Sequence, residues 1–269
     1  MPANAIDSHA HVIGAEADYP WMPDASYTAP PAPAVAYLKM LDEVGTRYGV
    51  LVQVSGHGQD NRLLLETLRA NPTRLRGVVV PTLGLGDSEY QAMSDAGTVG
   101  VRMNLLHRGG GMNFAQLAEY EALALDWGWH MQFLLDPQRL VELAPQLRKL
   151  KATVVLDHMG HQSTAAGWAS SAFQQVLGLV RDGAWVKLSG AYRVSAEEPP
   201  YRDTICYAQS LIEASPERCV WGSDWPHVAT WTTMPTVGKV LDTLALWAPE
   251  PAIRDAILTT NAHRLYGFR

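Results

Sequence analysis

Two histidines close the run Ala5-Ile6-Asp7-Ser8-His9-Ala10-His11. If that run is a strand, positions i and i+2 project from one face, so the imidazoles of His9 and His11 converge on one point. Such a pair can ligate a metal or polarise a substrate oxygen. Further along, His158 and Asp224 end the apolar runs 153–158 and 218–224, Arg102 lies near the end of 99–104, and Ser55 ends 49–55. Arg108 and Arg193 follow on loops. Three imidazoles and one carboxylate aimed at a common point can orient a water, remove its proton and polarise a carbonyl. Guanidiniums beside them would dock anionic substrate groups in forked geometry. Singly, each residue has a plainer alternative: His158 as a satisfied structural histidine, Arg102 paired with a nearby carboxylate, Asp224 as a helix cap. Their joint placement at strand ends makes the chemical reading the stronger one.

The elements that must position these groups alternate regularly. Strands are expected at 5–11, 49–55, 76–81, 99–104, 130–135, 153–158, 184–189 and 218–224, being short, β-branched and nearly continuous in apolar residues. Helical patterns occupy 34–44, 60–71, 88–96, 114–127, 137–149, 173–181 and 201–214, and the chain from 236 onward is mainly helical. Parallel strands need crossover helices, and eight such alternations predict an α/β fold, a (β/α)8 TIM barrel occupying 1–269 as a single domain. An open doubly wound sheet would want a Gly-rich turn after its first strand, where this chain has His-Ala-His. In a barrel the chemistry gathers at the C-terminal strand ends. The long loop 14–33, rich in Pro, Trp and Tyr, is a candidate lid, with Trp21, Asp24 and Tyr27 able to face a ligand. Trp21 has the simpler alternative of covering apolar surface.

Composition narrows the partners. With 269 residues, 47% of them apolar, the chain can bury one sizeable core. A formal net charge of −6 and no basic cluster argue against nucleic acid. Neither an export signal nor a membrane span is expected, since the N-terminus lacks a basic start with an apolar run and no segment approaches a spanning length. Cys206 and Cys219 lack the close spacing of a thiolate metal site and read as small buried apolar groups in a reducing cytoplasm.

The motifs together are familiar. Asp-Ser-His-Ala-His-Val (7–12), Tyr27-Thr28, Val-Gln-Val-Ser-Gly-His-Gly-Gln-Asp-Asn-Arg (52–62), Gly-Val-Arg-Met-Asn (100–104) with Arg108, Leu-Asp-His-Met-Gly (156–160) and Trp-Gly-Ser-Asp-Trp-Pro-His (221–227) run nearly end to end. On these segments, and on the ending Asn261-Ala262-His263-Arg264-Leu265-Tyr266, the chain resembles the amidohydrolase superfamily, in its amidohydrolase-2 branch, and within it the 2-pyrone-4,6-dicarboxylate lactonase group. The resemblance implies hydrolysis of a small anionic lactone. In that reading Asp224 is the general base and His9, His11 and His158 surround the scissile carbonyl. Arg102, Arg108 and Arg193 bind substrate carboxylates, helped by Tyr27 and Ser55. Asn261 and Arg264 are structural. One departure stands out: where these lactonases carry an arginine three residues after the sixth-strand histidine, this chain has His161, which would contact substrate as an imidazole.

The resemblance implies a metal-independent enzyme with no cofactor, or at most one zinc on His9, His11, His158 and Asp224. A binuclear centre is disfavoured by the residues themselves. Arg102 stands at the fourth strand, where a bridging ligand would be needed, and a guanidinium has no lone pair to offer. The fifth strand ends Leu134-Leu135-Asp136, with His130 at its start and so at the opposite end of a barrel. The competing readings are a mononuclear zinc amidohydrolase or decarboxylase of the same branch, a lactone isomerase, and a non-catalytic small-anion binding protein.

Overall fold

Eight parallel strands, each hydrogen-bonded to the next in chain order, form the sheet of this computed structural model, which describes residues 1–107, 113–230 and 235–268. They are β1 (Ile6–Ala10), β2 (Tyr48–Val52), β3 (Leu75–Val79), β4 (Thr98–Asn104), β5 (His130–Leu134), β6 (Val154–Leu156), β7 (Trp185–Leu188) and β8 (Cys219–Trp221). Helices α1 (Ala34–Val44), α2 (Arg62–Ala70), α3 (Asp87–Asp95), α4 (Leu117–Asp126), α5 (Pro137–Leu147) and α6 (Ser171–Arg181) follow strands one to six. Beyond β7 come a short α7 (Ala191–Val194) and then α8 (Ile205–Ala214); α9 (Val237–Trp247), α10 (Pro251–Leu258) and α11 (Thr260–Tyr266) follow β8. This is the (β/α)8 barrel the alternation predicts.

Local sequence starts and stops several helices. Asp136 accepts from the Arg139 amide with Pro137 in the first turn of α5, Ser170 accepts from Phe173 at α6, and Thr236 accepts from Lys239 at α9. The strands alternate sharply. Leu51 packs outward with the helices' apolar stripes, while Val50 and Val52 join Ile6, Val78, Val155 and Val220 in an inner cluster with Ala262, Tyr266 and Phe268 from α11 and its end. Each fully buried Val, Leu or Ile contributes about 1.5–3 kcal/mol. The C-terminal helix thus plugs the barrel floor and leaves the opposite end for a site.

The seam between first and last strands is closed past the end of β8. The His11 amide donates to the Trp225 carbonyl and the Asp224 amide to the His9 carbonyl, both at 2.8 Å. Beneath them the Asp7 carboxylate accepts from the Ser223 amide (2.7 Å), Ser223 Oγ (2.6 Å), Tyr37 OH (3.1 Å) and the His9 amide (3.2 Å). Gly222 is required at this crossing. A Cβ there would lie 2.6 Å from His9 Cβ and 2.9 Å from its backbone nitrogen.

Some features differ from expectation. Strands one, two, six and eight stop at Ala10, Val52, Leu156 and Trp221, so His11, Ser55, His158 and Asp224 stand just beyond strand ends. His158 and Asp224 have left-handed backbones, φ 49° and 61°. Cys219 is buried as anticipated but Cys206 is exposed, because the helical period turns Tyr207, Ala208 and Leu211 inward and leaves Cys206 facing out. Arg108 lies outside the described residues. Among the described residues no helix is long and apolar enough to cross a membrane.

Candidate active site

The barrel mouth brings His9, His11, His158 and Asp224 together. His9 Nε2 and His11 Nε2 are 3.3 Å apart, and Asp224 Oδ1 is 3.8 and 3.7 Å from them. His158 Nδ1 lies 3.8 Å from Asp224 Oδ2 and is held by Ser189 Oγ at 2.9 Å. A narrow cavity opens above, and Tyr27, Ser55, Arg102, His161 and Arg193 all line it. Outside the lid, every sequence-predicted site residue within the described chain therefore meets at one place. In the lid, Asp24 is exposed, and Trp21 packs over His57 with ring centres 4.9 Å apart, the covering role, so of that trio only Tyr27 reaches the cavity.

Asp224 is held asymmetrically. Its Oδ2 accepts from Tyr192 OH and from Arg193 Nε, each at 2.5 Å, whereas Oδ1 is buried with no hydrogen-bond partner among the described residues. Burial disfavours the charge, yet the opposing influences, led by the charge of Arg193 and its hydrogen bond, hold the carboxyl well below the usual range. An ionised oxygen with free lone pairs consequently faces two imidazoles. The three histidines go the other way. Burial is the largest influence on each and keeps His9, His11 and His158 neutral at pH 7.

The anion-binding candidates divide. Arg102 Nη1 donates to the Gln53 carbonyl at 2.5 Å and reaches Ser55 Oγ at 3.4 Å, leaving Nε unpartnered. Arg193, besides Asp224, donates Nη2 to the Val228 carbonyl at 2.8 Å. Its fork is therefore already half committed to the base. His161 lies on the cavity wall 6.2 Å from the His158 ring, and burial followed by Arg193 lowers its pKa, so it offers a neutral hydrogen-bonding edge. His107, unnoticed in the sequence, also lines the wall, its pKa lowered to about 4 chiefly by burial and Arg102.

Below the histidines lies a polar layer that sequence reasoning missed. Asp157, a second carboxylate, stands 3.2 Å from His9 Nδ1 through Oδ1, so Asp224 is not alone among the imidazoles. Lys187, fully buried on β7, donates to Gln132 Oε1 at 2.6 Å and to His9 Nδ1 at 3.3 Å. Gln132 in turn donates to Asp157 Oδ2 at 3.0 Å. Burial lowers the Lys187 pKa to about 8 despite Asp157. The available signal was a lysine inside the apolar run Trp185-Val186-Lys187-Leu188, since lysines are almost never fully buried unless paired. Tyr192 carried none beyond adjacency to Arg193.

One metal ion would find suitable donors here. A zinc with bonds of about 2.0–2.1 Å in tetrahedral array sets ligand atoms roughly 3.4 Å apart. The separations among His9 Nε2, His11 Nε2 and Asp224 Oδ1 are of that order, and these three form one of two possible ligand groups among the described residues. The other, His9, Asp157 and His158, already has the Lys187 ammonium 3.6 Å from Asp157 Oδ1.

Comparison with known proteins agrees with this architecture. The amidohydrolase family pattern of the amidohydrolase-2 type matches residues 6–268. The chain is 32% identical over 272 residues to a 4-sulfomuconolactone hydrolase of Rhizobium radiobacter, covering 99% of this chain and 91% of that protein. It is also 32% identical over 279 residues to a 2-pyrone-4,6-dicarboxylate hydrolase of Comamonas testosteroni, with the same coverage. A solved Pseudomonas putida structure named for 2-pyrone-4,6-dicarboxylic acid hydrolase superposes with a TM-score of 0.84 at 30% identity, covering 100% of this chain and 99% of that one. With a matching pattern over nearly its whole length and relatives of this similarity, the chain belongs to the amidohydrolase family.

Proposed function

We propose that this protein, acting as one barrel domain, hydrolyses a carboxylated lactone of the 2-pyrone-4,6-dicarboxylate kind without needing a metal. The observation that carries the reading is the free Oδ1 of an ionised, otherwise pinned Asp224, buried opposite two imidazoles. A water between Asp224 Oδ1 and the lactone carbonyl carbon gives its proton to the carboxylate as its oxygen attacks. The developing oxyanion is stabilised by imidazole N–H donation from His9, which acts strongly in a dry, preorganised site. Collapse breaks the ring C–O bond, and the proton held by Asp224 passes to the departing ring oxygen, leaving an open-chain acid. An activated ester needs less carbonyl polarisation than an amide, so neutral imidazoles suffice. Arg102 and Arg108 hold the substrate's acid groups, and Arg193 serves both the base and the ligand. Tyr27, Ser55 and His161 complete the contacts. The Coulomb field of Arg102, Arg193 and Lys187 favours an anionic ligand over a cation.

A zinc-assisted variant of the same reaction is the second reading, favoured by the ligand-atom spacings. His9, His11 and Asp224 would hold the ion, which when bound would supply Lewis-acid activation of water or carbonyl. A panel of carboxylated and neutral lactones, followed by acid release with and without chelator, tests the proposal. Chelator-insensitive opening of a carboxylated lactone is expected; no turnover of any carboxylated lactone would refute it.

A further inference from the structure

His9 stands between a group that can only donate and one that can only accept. On its Nδ1 side lie the Lys187 ammonium at 3.3 Å and the Asp157 carboxylate at 3.2 Å, and its Nε2 faces His11 Nε2 at 3.3 Å. The tautomers can be worked out from the ends of this chain. His11 Nδ1 is 2.8 Å from the Val52 carbonyl, which only accepts, so His11 carries its proton on Nδ1 and presents a lone pair at Nε2. An ammonium has no lone pair, so its bond to His9 Nδ1 requires that atom to be the acceptor. His9 must then carry its proton on Nε2, where it meets the His11 lone pair. The run Lys187 Nζ–H to His9 Nδ1, His9 Nε2–H to His11 Nε2, His11 Nδ1–H to Val52 O is donor-to-acceptor throughout. The opposite tautomer of His9 would set two lone pairs against each other at 3.3 Å. Asp157 Oδ1 is correspondingly left without a hydrogen bond among the described residues.

We infer that Lys187 is a positioning residue that fixes His9 as an Nε2–H donor, bonded to His11 in the resting protein and turned to the substrate carbonyl on binding, so that His9 withholds from any metal the lone pair a ligand needs. Asp157 is the rival. A carboxylate accepting from Nδ1–H is the arrangement that orients metal-bound histidines, and it makes Nε2 a ligand. Without the ammonium, the charge-assisted bond from Nδ1–H to Asp157 outweighs the neutral Nε2–H bond to His11, because hydrogen bonds to ionised groups are the stronger. The proton then moves to Nδ1. One lysine thus decides whether this first-strand histidine serves as donor or as ligand. The inference rests on the carbonyl-polarising role proposed for His9, but its test does not.

The tautomer is read by 15N NMR of histidine-labelled, metal-free protein near pH 7, in the wild type and in Lys187→Met, with zinc affinity measured by competition against a chelating dye. Wild-type His9 is expected to show a protonated Nε2 and a lone-pair Nδ1. Lys187→Met is expected to reverse this and to bind zinc about 10–100-fold more tightly, the scale on which outer partners change metal affinity. Asp157→Asn, a second variant that leaves the lysine in place, should keep Nε2 protonated and bind zinc more weakly than wild type. A wild-type His9 protonated on Nδ1 overturns the inference whether or not Lys187→Met folds. A folded Lys187→Met with unchanged tautomer and zinc affinity overturns the role of Lys187. Because the signal comes from the resting protein, failure of every lactone to react leaves this result readable.

Discussion

Replacing Arg193 by Met separates two duties that the sequence alone merges. The Arg193 Nε to Asp224 Oδ2 contact is 2.5 Å, with the carboxylate fully buried and the arginine side chain 10% exposed. Leaving one member of a buried ion pair uncompensated typically costs about 3–5 kcal/mol. A carboxylate can relieve that cost by taking a proton, and at about 1.36 kcal/mol per pK unit the shift is roughly 2–4 units upward. The wild-type group is held well below the usual carboxylate range, so its ionised form stabilises the fold above the unfolded pKa and loses that contribution only as pH falls through the lower folded value. In Arg193→Met the folded pKa rises toward the ordinary carboxylate range. The base is then lost as pH falls through an accessible range, and the acid limb of kcat/KM moves to higher pH than in the wild type. Tyr192→Phe removes only one hydrogen bond to the charge, about 1.5–3 kcal/mol, and should move the limb by roughly 1–2 units. The assay is the pH profile of kcat/KM on a responsive lactone, with circular dichroism confirming the fold. A folded Arg193→Met with an unchanged acid limb, its defect confined to KM for carboxylated substrates, would refute the pairing argument and make Arg193 a substrate clamp alone.

Arg102→Met should raise KM more for carboxylated than for neutral lactones, by an amount corresponding to about 2–5 kcal/mol, and Arg108→Met should act in the same direction; equal losses on both substrate types would give these arginines a structural role. His130 is buried away from the mouth, and burial with Lys187 lowers its pKa from 6.5 to about 3. The unfolded chain therefore gains that proton first, so the His130 contribution to stability falls as pH drops from 6.5 toward 3. His130→Gln should flatten urea-derived stability against pH by up to about 1.4 kcal/mol per pH unit in that window, and an unaltered slope would mean the ring is charged in the fold. Gly222→Ala drives a Cβ to 2.6 Å from that of His9. It should cost about 1–3 kcal/mol and most of the activity, measured by thermal melts and turnover, and full activity would show that the seam yields.

The barrel was legible because its two periodicities are clean: helical stripes such as Leu64, Leu65 and Leu68 alternate with β-branched runs such as Gly49-Val50-Leu51-Val52. Strand ends were less so. The expected strands ran on past Leu156 and Trp221 to the polar residues His158 and Asp224, but the backbone turns there, and at the eighth strand the side chain of Asp7 takes up the Ser223 amide. His9, His11, His158 and Asp224 could be gathered because polar residues at the ends of apolar runs are conspicuous. Lys187, Gln132 and Asp157 could not be grouped in the same way. They sit on three different strands or strand ends, and only the closed barrel shows that they meet under His9. The pairing of Arg193 with Asp224 was hidden for the same reason, since a guanidinium on a loop after the seventh strand reads equally well as a substrate contact.

The most direct test of the account is turnover of a carboxylated lactone by protein stripped of metal and checked by elemental analysis, wild type beside Asp224→Asn. The account predicts full activity in the metal-free wild type and a fall of about 10²–10⁴-fold in the folded variant, the contribution of a positioned base. Activity that vanishes on stripping and returns with one equivalent of zinc would contradict it, as would an Asp224→Asn enzyme within a few-fold of wild type.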